Sequence, residues 1–172
     1  MIVDMLPDRM SLDEMMKELD GFAPDVVGLS SFSMYAGMLH KAAAAVRAKD
    51  PSCVILAGGP YCSSSLGRVT ADTNIDCVAY GEGEETLNEI IDRLLKKKDL
   101  SGILGTARLE NGKMKVNPPR PFIEDLDTLP IPAVDLIDVP KYWKYVTPLL
   151  YQTQWMLIFN SRGCPYRCVY CH

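Results

Sequence analysis

The chain has 172 residues, 48% hydrophobic and 23% charged, with six cysteines and a formal net charge of −4. That length holds one full domain plus part of a second, and it excludes a small domain joined to a complete (β/α)8 barrel, which alone takes roughly 250 residues. Mild acidity with no basic tract beyond Lys96-Lys97-Lys98 argues against nucleic acid as the main partner, and no apolar run approaches the ~18 residues of a membrane span.

Asp4 and Asp8 stand where a secretory signal would carry positive charge, so a cytoplasmic, reducing compartment is expected. Ile2-Val3-Asp4-Met5 is a short apolar run. Ser11 and Glu14 then form a capping box that opens a helix with Leu12, Met15, Met16 and Leu19 at helical spacing, stopped by Gly21 and Pro24. Residues 25–30 read as a continuous apolar strand buried on both faces, as in a parallel sheet. An alanine- and methionine-rich helix over residues 35–49 ends before Pro51. Residues 53–57 form the next buried strand, broken by Gly58-Gly59-Pro60, and residues 63–73 form at most a weak helix.

Residues 76–79 are a further strand, ending in Gly81-Glu82-Gly83-Glu84-Glu85. The helix after it places Leu87, Ile90, Ile91, Leu94 and Leu95 on one face, with acids in its first turn and lysines in its last. This alternation predicts an α/β fold, a doubly wound parallel sheet, in which ligands sit outside the carboxyl ends of the strands. Those ends are Ser30-Ser31-Phe32-Ser33, Gly58-Gly59-Pro60 and Gly81-Glu82-Gly83. Residues 103–109 and 113–116 flank Asn111-Gly112 as a hairpin. Residues 117–148 hold seven of the twelve prolines and read as an extended connector. Residues 155–160 are again strand-like and lead directly into a cysteine cluster.

Cys53, Cys62 and Cys77 are scattered, and Cys53 and Cys77 lie in strand-like runs that mark them as small buried hydrophobes. Cys164, Cys168 and Cys171 are packed together, which points to metal instead of disulfides in a reducing compartment. Three thiolates within eight residues can bind three irons of a [4Fe–4S] cluster and leave the fourth iron open. The alternative is a structural zinc site with His172 as fourth ligand, although adjacent side chains diverge and suit one tetrahedron poorly.

The spacing Cys-x3-Cys-x2-Cys with Tyr170 before the last cysteine, preceded by Asn160-Ser161-Arg162-Gly163, resembles the radical S-adenosylmethionine signature. The resemblance implies that Cys164, Cys168 and Cys171 ligate a [4Fe–4S] cluster and that S-adenosylmethionine chelates the open iron. It further implies that Tyr170 lies beside the adenine and that a 5′-deoxyadenosyl radical attacks a small-molecule substrate, with an electron donor as partner. Upstream, residues 24–30, 57–60 and 75–86, with the connector 124–133, resemble the cobalamin (B12)-binding branch of those enzymes, which includes methyltransferases and anaerobic magnesium-protoporphyrin ester cyclases.

That second resemblance implies a Rossmann/flavodoxin-like cobalamin domain in which Ser30, Ser31 and Ser33 line the slot for the nucleotide tail and Gly58 and Gly59 give it room. The carboxylates of Gly81-Glu82-Gly83-Glu84-Glu85 would repel a pyrophosphate at a helix N-terminus but suit the amide fringe of a corrin. Tyr61 stands where many relatives carry histidine, the family's first strand and helix would precede Met1, and His40 reads as a surface or packing residue, so no axial ligand is named.

The expected organisation is a cobalamin-binding-like domain over residues 1–100, lacking its first strand, a hairpin and Pro-rich connector over 101–150, and over 151–172 the first strand and cluster loop of a radical S-adenosylmethionine barrel. On this reading the chain is an internal fragment, inactive alone, of an enzyme for methyl transfer or oxidative cyclisation. The rival is a non-catalytic flavodoxin-like module that binds cobalamin or a partner and ends in a structural zinc site.

Overall fold

Among the described residues five strands form one sheet in chain order, so each new strand is laid beside the last. The structure is a computed structural model that describes residues 1–7, 9–143, 159, 161–164, 166, 168 and 169. Strands β1 (Val26–Ser30), β2 (Val54–Gly58) and β3 (Cys77–Ala79) are parallel, with Ser30 opposite Gly58 and Ala57 opposite Val78. The hairpin β4 (Thr106–Glu110) and β5 (Lys113–Val116) joins the same sheet by antiparallel pairing of β4 with β3. The result is a mixed sheet, because the Asn111-Gly112 turn reverses the chain within two residues. Both residues have positive φ, +52° and +75°, the geometry of a tight hairpin turn.

Two compact units are present, Leu19–Thr128 and the pairing of Met1–Glu18 with Leu129–His172. In the first, one sheet face carries Val26, Val54, Leu56 and Cys77 and is covered by Ile90 and Leu94 of α5 (Glu84–Leu95), with Leu100 and Ile103. The opposite face, with Val27, Ile55, Ala57 and Val78 buried, is covered by α2 (Ala36–Lys49), α3 (Pro60–Ser64) and α4 (Leu66–Thr70). Helices on both faces are the arrangement that strand–helix alternation demands.

Several expectations change in detail. Among the described residues β1 is an edge strand, so Gly28 and Ser30 are exposed and only Val27 is fully buried. The weak helix of 63–73 is two short helices, and the first starts earlier, at Pro60, whose fixed φ suits a first helical position. On α5 the inward stripe is Thr86, Ile90 and Leu94, while Leu87 and Leu95 are 49% and 79% exposed. Cys53 and Cys77 are buried, as expected of small hydrophobes, and so is Cys62. Burial pushes the thiols of Cys62 and Cys77 up to about 11.

The smaller unit contains the first turns of helix α1 (Leu12–Phe22), which opens with the capping box expected of Ser11 and Glu14. The Ser11 N–H and hydroxyl donate to Glu14 Oε2 (2.8 and 2.6 Å), and the Glu14 N–H donates back to Ser11 Oγ (3.3 Å). The run 2–5 is not a strand, and Ile2 is exposed. The short helix α6 (Val139–Trp143) carries Tyr142, whose hydroxyl donates to Asp4 Oδ2 at 2.7 Å. The strand expected over 155–160 falls almost wholly outside the described residues. No helix among the described residues is long and apolar enough to cross a membrane.

Candidate functional site

Because β1, β2 and β3 are parallel, their carboxyl ends share one edge of the sheet, and the three glycine- and serine-rich segments singled out in the sequence meet there. Ser30 ends β1, Gly58 ends β2, and Gly81 follows β3. Gly59 has φ +87°, which an L side chain adopts only with strain. A Cβ at Gly59 would also lie 2.4 Å from Ser30 Oγ and 3.7 Å from the Ser31 amide nitrogen. Gly58 is less constrained: its Cβ would meet Ala79 O at 3.9 Å, an ordinary contact. Gly81 has φ +76° and open space around it, and Gly83 precedes α5 with φ −96°.

Helix α3 ties the three strand ends together. The Tyr61 N–H donates to Ser31 O (3.1 Å), and Ser63 Oγ accepts the Gly81 N–H (3.1 Å). Ser31 Oγ is buried and has no hydrogen-bond partner. An unpaired buried hydroxyl costs about 1–3 kcal/mol, which a ligand offering a partner would offset. Ser33 is exposed at the start of a 3-10 turn, Ser33–Tyr35. Beside these serines Phe32, Met34, Tyr35 and Met38 are 62%, 79%, 41% and 39% exposed, an apolar rim suited to a large flat ligand.

Glu82 is engaged within the fold: its Oε2 accepts the Ile123 N–H at 2.7 Å. Neighbouring contacts bind the same stretch of chain. Tyr80 donates to Asn117 O (2.5 Å), the Gly105 N–H to Pro118 O (2.8 Å), and Arg120 to Thr86 Oγ1 (2.9 Å) and to Glu89. Hydrogen bonds from Arg120 and Arg93 hold the Glu89 carboxyl below its ordinary range.

A polar cluster behind the site is not legible from residue spacing. His40 Nδ1 lies 2.6 Å from Asp72 Oδ2 and His40 Nε2 lies 3.1 Å from the hydroxyl of Tyr61, itself only 2% exposed. Burial pushes the Asp72 carboxyl up, but hydrogen bonds from His40 and Asn74 outweigh it and hold the group below its ordinary range. Both ring nitrogens of His40 are therefore engaged within the fold.

Of the cysteine cluster, Cys164 and Cys168 are exposed and free. Tyr170, Cys171 and His172 lie outside the described residues. Among the described residues no three metal-ligating side chains converge. A separate concavity of about 310 Å³ in the smaller unit is walled by Ile2, Asp4, Met10, Ile137, Lys141 and Tyr142, without serine, cysteine or histidine. The strand-end surface is the better candidate.

The B12 binding domain family matches residues 1–91, which contain all three strand ends. An uncharacterized methyltransferase of Pyrococcus horikoshii is 33% identical over 171 residues, covering 99% of this chain and 36% of its own. The anaerobic magnesium-protoporphyrin IX monomethyl ester cyclase of Synechocystis is 32% identical over 127 residues, 73% of this chain and 24% of its own. Thus the chain spans about a third or less of the length of these relatives. Among solved structures, the cobalamin-dependent S-adenosylmethionine radical enzyme OxsB with aqua-cobalamin and S-adenosylmethionine bound shares the fold at a TM-score of 0.62. Its identity is 21%, over 70% of this chain and 17% of that one.

Proposed function

Because the chain belongs to the B12 binding domain family, we propose that the strand-end site of β1–β3 holds cobalamin within a radical S-adenosylmethionine enzyme that performs methyl transfer or oxidative ring closure on a small molecule. The observation that carries this reading is an orphan hydroxyl beside a tight strand-end turn. Gly59 lets the chain after β2 turn directly against Ser30, where any Cβ would clash with Ser30 Oγ, and beside it Ser31 Oγ is buried without a partner. Both features suit a ligand that threads a polar tail between strand ends.

Ser30, Ser31 and Ser33 would contact the nucleotide tail, Gly58 and Gly59 would admit it, and Gly81, Glu82 and Gly83 would face the corrin amides. Cys164, Cys168 and Cys171 would ligate a [4Fe–4S] cluster, with Tyr170 beside the adenine of S-adenosylmethionine. Thiolate donors suit iron, and the two described cysteines are exposed and free. When bound, the cluster supplies one-electron reduction of S-adenosylmethionine by an external electron donor, and cobalamin supplies a methyl carrier. This chain's own part is to bind both groups and to hold the strand ends in register. Relatives described as a methyltransferase and an ester cyclase favour this reading over a non-catalytic module that binds cobalamin or a partner and ends in a structural zinc site.

The test is titration of the full chain with hydroxocobalamin, followed by visible absorbance and co-elution on gel filtration. Retention by the wild type, weakened by Ser31→Ala, is expected. A wild type that lets the corrin elute separately overturns the reading.

A further inference from the structure

The cluster behind the strand ends joins three segments that are distant in sequence: α2 through His40, α3 through Tyr61, and the turn after α4 through Asp72. Asp72 is itself fixed, since its Oδ1 accepts from the Asn74 N–H (3.0 Å) and side-chain amide (2.8 Å). With Asp72 accepting at Nδ1, the Nε2 of a neutral imidazole accepts from the Tyr61 hydroxyl. The rings of His40 and Tyr61 also meet edge to face, with centroids 5.9 Å apart.

Tyr61 is also where α3 meets the candidate site. It lies two residues after Gly59, its N–H donates to Ser31 O (3.1 Å), and Ser63 of the same helix takes the Gly81 N–H. Anything that fixes the Tyr61 side chain therefore fixes the Gly59 turn and the loops after β1 and β3. From this geometry we infer that His40, oriented by Asp72, is a positioning residue for the corrin site, acting through the Tyr61 hydroxyl on the Gly59 turn. The inference rests on the proposed cobalamin function. Its chemistry is a carboxylate–imidazole–phenol chain in which no proton or electron is consumed; it supplies rigidity.

Two conservative variants separate this role from simple packing. The side-chain amide of His40→Gln can reach where Nε2 lies and keep the bond to Tyr61, whereas that of His40→Asn can reach only where Nδ1 lies and keep the bond to Asp72. Hydroxocobalamin affinity of the full chain is measured for wild type, Tyr61→Phe, His40→Gln and His40→Asn, with thermal unfolding in parallel. Tyr61→Phe and His40→Asn are expected to weaken binding about fivefold, the fold-change of one lost hydrogen bond, while His40→Gln stays within about twofold. Equal effects of Gln and Asn, the reverse order, or unchanged binding by Tyr61→Phe overturn the inference. A wild type that does not bind hydroxocobalamin overturns the functional proposal, and this inference with it. Binding by the wild type with no Gln–Asn difference overturns the positioning role alone.

Discussion

Ser30 and Gly59 approach so closely that a Cβ on the glycine would lie 2.4 Å from the serine Oγ. The contact is built by register: Ser30 pairs with Gly58, so the residue after the strand end must turn across Ser30, and it does so at φ +87°. Gly59→Ala is therefore expected to lower unfolding stability by at least about 2 kcal/mol, from the positive φ together with the clash. Ser30→Ala in that background removes the Oγ clash and recovers only part of the loss, because the backbone strain remains. Gly58→Ala, with its Cβ in open contact, should cost less than about 1 kcal/mol. Urea unfolding of the wild type and the three variants checks this, and equal losses for Gly58→Ala and Gly59→Ala would contradict it.

At the other end of the strands Arg47 is a clamp. Its guanidinium donates to Pro51 O (2.7 Å), Cys53 O (2.9 Å), Asn74 O (3.2 Å) and Asp76 Oδ2 (2.6 Å). Asp76 Oδ2 also accepts the Ile55 N–H (2.7 Å), so α2, β2 and the approach to β3 share one charged pair. Arg47→Ala should cost about 2–3 kcal/mol, since it strands a carboxylate and several carbonyls. Arg47→Lys should recover a minority of that, lacking the planar fork. Corrin affinity should not change, because the clamp lies at the amino ends of the strands. A loss of stability below about 0.5 kcal/mol would remove the clamp from the account.

Acid should weaken the fold through carboxylates held low in the folded state. The Ser101 hydrogen bond, followed by that of Arg108, holds the Asp99 carboxyl down to about 2. Asp72, Glu89 and Glu110 are also held below their ordinary ranges. A carboxylate with a depressed folded pKa stabilises above its unfolded value of 3.8 and loses that contribution as pH falls through the folded value. Stability should thus be flat near neutrality and fall from about pH 4 towards pH 2. Asp99→Asn should flatten part of that descent, as read from urea midpoints; an unchanged slope would exclude Asp99 as a contributor.

The strand–helix alternation, the Ser11–Glu14 capping box, the Asn111-Gly112 hairpin and the meeting of three strand ends are all legible in the sequence, because each depends on local spacing. The buried face of α5 is not. Leu87, Ile91 and Leu95 fit a helical stripe as well as Thr86, Ile90 and Leu94 do, and only the sheet beneath decides between them. Pairing of β4 with β3 escapes for the same reason: a hairpin's turn sets its own register but not its neighbour. The His40–Asp72–Tyr61 chain spans 32 residues between its first two members, a separation at which residue spacing carries no signal. The exposed apolar rim of Phe32, Met34, Tyr35 and Met38 leaves only a faint trace in the sequence, apolar residues at a strand end interleaved with small polar ones.

Cysteine reactivity separates the two thiol classes and tests the proposed cluster. Burial pushes Cys62 and Cys77 up to about 11, and it raises Cys53 as well. At pH 8 a thiol of pKa near 11 is only about one part in a thousand thiolate, and these thiols are also shielded from reagent. Iodoacetamide should therefore leave Cys53, Cys62 and Cys77 intact in the folded, iron-free protein while modifying exposed Cys164 and Cys168. Anaerobic reconstitution with iron and sulfide should produce broad visible absorbance bleached by dithionite, and should protect Cys164, Cys168 and Cys171 together. Removing the iron with a chelator should restore labelling of Cys164 and Cys168. Peptide mass spectrometry reads each site. Protection of only two of the three, or a colourless protein retaining one zinc, would replace the cluster with a different metal site.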